Sequence, residues 1–162
     1  MIPGLLVFIL LTSISCGNND GRKSSSSGTM SPENEIADTI IYPVDVINLD
    51  SADKWADTRL KRLDQEKMTD MFFDALYDGD ARALDYYTRE PIPAEEIKEM
   101  EESGKLDRKE MGQLQFEESW FFDPETAQMT KEVQSVLLAW PVFDNDGEFQ
   151  AYEAGFVLEL NP

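Results

Sequence analysis

Carboxylates are the only reactive groups this sequence offers in quantity. It carries 33 Asp and Glu, one Cys and no His. Without His there is no Ser-His-Asp or Cys-His triad, no His-ligated zinc, and no use of the commonest general base. Neither a Gly-rich phosphate loop nor an Asp-Thr-Gly pair occurs. A glycosidase needs only two carboxyls about 5–10 Å apart in an aromatic-walled cleft, and Glu117, Glu118 and Asp123 flank Trp120. Any acidic chain offers such pairs, so the favoured reading is solvated strand carboxylates beside a core Trp. Asp144-Asn145-Asp146-Gly147 invites comparison with a calcium loop. Gly147 at position six puts Asp144 and Asp146 at three and five and Glu153 at twelve. Position one is then Val142, which cannot ligate calcium, so a hairpin turn is expected. These residues therefore single out no catalytic residue, no metal site and no cofactor.

Charge narrows the partners. Fourteen Lys and Arg against 33 acids give a net charge of −19. Such a polyanion repels nucleic acid and anionic membrane surfaces, and favours basic partners or loosely held divalent cations.

The elements that must position these residues follow from periodicity. Residues 113–160 read as three strands with two turns. Leu114, Phe116, Trp120 and Phe122 share one parity, interrupted by Glu118. Val133, Ser135, Leu137 and Ala139 alternate with Gln134, Val136, Leu138 and Trp140, a run that looks buried on both faces. Phe156, Leu158 and Leu160 close the set; period-two alternation is the strand signal. Asp123-Pro124-Glu125-Thr126 and Asp144-Asn145-Asp146-Gly147 supply the turns. The expected fold is α+β, an antiparallel three-stranded meander packed with two or three helices. Trp120, Phe121, Phe122 and Asp123 sit at its first corner with rings on both parities. They are either core or a partner-binding surface.

Upstream, residues 36–49 are β-prone, but Pro43 limits them to an edge strand or an extended arm. Residues 52–62 suit a helix. Met68, Met71, Phe72, Ala75 and Leu76 fall on one helical face, and Asp78-Gly79 supplies the stop. Residues 81–88 read as a short extended segment. Pro91-Ile92-Pro93 opens an acidic surface helix over 94–102, with Pro93 at its first position and Gly104 at its end.

The first residues form an address. Residues 5–11 are apolar, far short of the roughly 20 needed to span a bilayer. Thr12-Ser13-Ile14-Ser15-Cys16 follows and resembles a bacterial lipoprotein signal, with Cys16 as the lipidated first residue. The expected organisation is a signal peptide over 1–15, a lipidated Cys16 opening a flexible tether over 16–35, and one domain over 36–162. Gly17-Asn18-Asn19 also resembles the openings of many Bacteroidota lipoproteins.

The order of motifs over residues 51–160 resembles the GldN/PorN family, periplasmic components of the gliding-motility and type IX secretion machinery of Bacteroidota. Trp55 precedes Leu63-Asp64-Gln65-Glu66-Lys67-Met68-Thr69, similar to the family's Ile-Asp-x-Arg-Glu-Lys-Met-Asn element. Leu76-Tyr77-Asp78-Gly79-Asp80, Tyr86-Tyr87 and a Pro-led acidic helix come next. Trp120-Phe121-Phe122-Asp123, Met129 and a β run ending at Pro141 complete the order. The resemblance implies a non-catalytic assembly subunit of a secretion or gliding complex, and with it the non-enzymatic reading of the chain. Its implied partner is a ring lipoprotein of the GldK/PorK type, and its expected place is the outer membrane, facing the periplasm. The alternative is a periplasmic or surface lipoprotein binding a basic or divalent-cation ligand. A carboxylate glycosidase is the third reading.

Overall fold

A computed structural model describes residues 30–160 and residue 162. The leader, Cys16 and the tether up to residue 29 lie outside the described residues. A 3-10 turn, Pro32–Asn34, capped by Ser31, leads directly into strand β1, Glu35–Asp45. The turn residues fall within residues 16–35, which the sequence reads as tether. Helix α1 is Lys54–Leu60 and helix α2 is Gln65–Asp78. Strands β2, Ala81–Asp85, and β3, Pro91–Ile92, precede helix α3, Ala94–Glu102. After a 3-10 turn, Arg108–Glu110, the long strands follow: β4, Gln113–Asp123, β5, Gln128–Phe143, and β6, Phe149–Leu160.

The three-stranded meander is overturned as the fold. The described residues form a six-stranded sheet in the order β1-β4-β5-β6-β2-β3, every pairing antiparallel. The meander β4-β5-β6 is its middle. The reason is backbone accounting: both outer strands of a free meander would present unpaired N–H and C=O groups. Here β1 covers β4 and β2 covers β6. Pro43 is tolerated because β1 pairs on one side only. Pro141 is tolerated for a related reason. Strand β4 begins at Gln113, opposite Ala139, so beyond Ala139 strands β5 and β6 continue as a two-stranded ribbon.

Helices α2 and α3 cover one face of the sheet. Phe73 and Leu76 of α2 and Ile97 of α3 pack with Leu114, Val136, Leu138, Phe156 and Leu158. Burying a side chain such as Phe73 contributes about 1.5–3 kcal/mol. The buried stripe of α2 is Thr69, Phe73 and Leu76, and Met71 is exposed. Met68, Phe72 and Ala75 of the expected face pack against this core, and Thr69 can be buried beside them because its hydroxyl donates to the Gln65 carbonyl at 2.8 Å. Pro93 is the N-cap of α3, not its first residue, because Pro91 and Ile92 are used as a strand.

Arg108 ties the helical layer together. Its Nε and Nη2 donate to the two Glu101 oxygens at 2.6 and 2.7 Å, and its Nη1 to Asp70 at 3.3 Å. The guanidinium lies 4.4 Å from the Phe73 ring centre, and the Tyr77 hydroxyl also donates to Glu101. A planar fork of donors over an aromatic ring is the geometry arginine supplies and lysine does not. The other sheet face carries a smaller cluster, Leu84, Leu137 and Val157, with Tyr86 beside it.

Candidate functional site

Strand pairing gathers a polar cluster around Trp120. Tyr42 of β1 lies opposite Phe116 of β4, and Lys131 of β5 lies opposite Trp120. Between Glu117 and Glu118 the β4–β5 register slips by one residue, with Gln134 as the extra one. Gln134 Nε2 donates to Ser119 Oγ, and Ser119 Oγ donates to the Asp38 carbonyl, both at 2.6 Å. These bonds pin the bulge.

Glu118 is 4% exposed and accepts three hydrogen bonds. The Tyr42 hydroxyl donates to Oε1 at 2.7 Å, and Trp120 Nε1 donates to Oε2 at 2.9 Å. Lys131 Nζ reaches Oε2 at 3.2 Å. The ammonium also lies 4.4 Å from the Trp120 ring centre and 5.4 Å from that of Tyr42. Burial alone would push the Glu118 carboxyl up. The three donors and the Lys131 charge more than offset it and hold the group below its ordinary value. For Lys131, partial desolvation pulls down, while the Glu118 hydrogen bond and charge raise the net value. Tyr42 is raised by burial and then by Glu118.

This arrangement corrects the picture of solvated carboxylates beside a core Trp: Glu118 is buried, and Trp120 is only half-buried. It also separates the proposed glycosidase pair. Glu117 points to the other side of the sheet, where Oε2 accepts from Ser135 Oγ at 2.8 Å and from Arg89 at 3.3 Å. Glu118 already has a Tyr, a Trp and a Lys donor. Asp123 is a turn residue. Its Oδ1 accepts from Glu125 N and Thr126 N and its Oδ2 from Thr126 Oγ1, bonds that hold its carboxyl low.

The rest of the Trp120-Phe121-Phe122-Asp123 corner divides by face. Phe121 is 9% exposed, whereas Phe122 is 41% exposed and lies opposite Met129, which is 50% exposed. An open cross-strand Phe–Met pair thus sits two pairs beyond the Trp120–Lys131 pair. Asp144 spends Oδ1 on the backbone N–H of Asp146 and Glu148, closing its own turn, with Gly147 at φ 82°. Glu153 lies in β6 opposite Trp140. Among the described residues no group of three His, Cys, Asp or Glu side chains is placed to hold a metal ion.

Tyr42 and Lys131 were missed from the sequence. Lys131 left a signal, being the only cation between Met111 and Pro162. Tyr42 left none, because its partner is 76 residues away. What the cluster can do chemically is limited: each group is already paired, so it braces the β1-β4-β5 corner and sets a firm base beside the Phe122–Met129 pair. Neither protein-family models nor curated proteins return a match to this sequence.

Proposed function

We propose that this protein is a non-enzymatic, membrane-tethered envelope lipoprotein that works as an assembly subunit of a secretion or gliding complex. In this reading lipid on Cys16 anchors the chain to the outer membrane, and the tether gives it reach into the periplasm. The Phe122–Met129 end of the sheet docks on a protein partner of the ring-lipoprotein kind. The observation that carries the reading is the exposed Phe122–Met129 pair beside the braced Glu118–Lys131 cluster. A rigid base under an exposed aromatic lowers the ordering cost of binding, and aromatics and Met are enriched at the centres of interfaces. The motif order shared with the GldN/PorN family supplies the kind of complex.

The test is a pull-down of the tagged protein from crosslinked native cells, with mass spectrometry. Recovery of secretion or gliding proteins, lost on Phe122→Ser, is the expected result. Recovery of the same proteins by the Phe122→Ser form, or recovery of none, removes the reading.

A further inference from the structure

A second surface lies at the far end of the sheet. Met129 and Phe143 are 14 residues apart along β5, so the two ends are roughly 45 Å apart at strand rise. At the far end the β5–β6 ribbon runs past the start of β4. Phe143, Phe149 and Tyr152 follow one another along it in edge and tilted contacts, with ring centres 6.3 and 5.0 Å apart. The chain between β1 and α1 runs alongside, leaving a groove of about 220 Å³. Its apolar lining includes Ile47, Leu49, Phe149 and Tyr152. Gly112 permits this closure: a Cβ there would lie 2.8 Å from Ile47 Cδ1 and 2.9 Å from Tyr152 Cε1.

Asp45, Asp50 and Asp53 line the same groove, with Arg59 as the one cation among the lining residues. Each carboxylate uses only Oδ1 in its hydrogen bonds. Asp45 accepts from Gln113, Asp50 from Ala52 N, and Asp53 from the first N–H groups of α1. None of the three is in an ion pair among the described residues.

We propose that this groove docks a basic peptide segment of a partner protein, one bulky apolar side chain entering between Leu49 and Phe149 while flanking Lys or Arg meet Asp45, Asp50 and Asp53. Size and charge choose this occupant. The groove is below the roughly 300–1,000 Å³ of small-molecule pockets, but holds a single large side chain. A second copy brings another −19 charge to an acidic rim and is repelled. This surface is separate from the Phe122–Met129 end, so either can fail without the other.

The test uses the purified full chain and a fluorescein-labelled octapeptide with one Trp flanked by paired Lys, read by anisotropy. Saturable binding is expected, weakened about tenfold between 50 and 500 mM salt as the Debye length shrinks. Phe149→Ser should weaken it at least about tenfold, the cost of losing an anchoring contact. Asp45→Asn with Asp50→Asn keeps both hydrogen-bond acceptors and should weaken it by about the same factor. Phe122→Ser should leave it unchanged. Absence of saturable binding, equal binding of a Glu-for-Lys peptide, or full affinity in a folded Phe149→Ser protein overturns the proposal. So does a dimer that Phe149→Ser dissolves, since the occupant is then a second copy.

Discussion

The Lys131 ammonium sits between Glu118 Oε2, at 3.2 Å, and the Trp120 ring, whose centre is 4.4 Å away. One cation thus serves a buried carboxylate and an aromatic face in a cross-strand position. The pairing explains how a carboxylate is buried in the middle of a sheet. Three donors replace its water, and the ring keeps its counter-ion in place.

Glu118→Gln should cost about 1–3 kcal/mol in urea melts at pH 7, since an amide cannot accept three donors as a carboxylate does. The pH dependence has a fixed sign. The folded-state value of Glu118 lies below the ordinary one of 4.5, so its contribution is complete above that value and is lost as pH falls through the folded value. Lys131, raised above 10.5, contributes below that value and loses its share as pH rises through the folded one. The Gln variant should lose stability less steeply than wild type below pH 4.5. Parallel acid limbs in the two melts would remove Glu118 from the account.

Trp120→Ala and Phe122→Ser should separate stability from docking. Trp120 is half-buried, donates to Glu118 and faces Lys131. Its loss should cost about 2–3 kcal/mol, below the 3–5 typical of a full core aromatic. Phe122 is exposed, and its change to Ser should move stability by about 0.5 kcal/mol or less. A large loss at Phe122 in a chemical melt would mean that this ring is core.

Gly155→Ala should destabilise the protein by about 1–3 kcal/mol through overpacking. Gly155 is the extra residue where the β5–β6 register slips, and the Trp140 ring lies across it. A Cβ there would come within 2.3 Å of Trp140 Cζ3. Trp140 is held in place by its Nε1 bond to the Asp107 carbonyl at 2.7 Å. Near-ultraviolet circular dichroism should report the displaced indole, and an unchanged spectrum with unchanged stability would contradict the contact.

Arg108→Ala should cost about 2–3 kcal/mol, because it breaks a bidentate pair and leaves Glu101 with only the Tyr77 donor. Arg108→Lys should recover less than half of that loss, since an ammonium cannot span both oxygens over the Phe73 ring. Full recovery by Lys in a thermal melt would reduce the site to simple charge.

Cys16→Ala should move the protein from the membrane to the soluble envelope fraction, since acyl chains are the proposed anchor. Membrane retention of the variant in a fractionation experiment would end the lipoprotein proposal.

Several elements were legible because their causes are local. Helix α2 is announced by a 3.6-residue apolar period, and Gly79 stops it in the left-handed conformation at φ 83°. The 16-residue strand β5 shows itself as a β-prone run with apolar residues at both parities. The turns at Asp123 and Asp144 follow from carboxylates that accept nearby N–H groups.

What the sequence alone determined, then, is helix α2, the strands of the central meander and their turns, the excess of acid and the absence of histidine chemistry. Tertiary structure decided the sheet's width, because β1 and β2 find their partners across the chain and not beside it. It also decided that Glu117 and Glu118 serve opposite faces, that Tyr42 meets Glu118, and that Ile47 meets Tyr152 over Gly112. The physical reason is register. Which side chains meet across two strands depends on where a bulge falls and how far a pairing slides, and neither quantity is written in the periodicity of either strand.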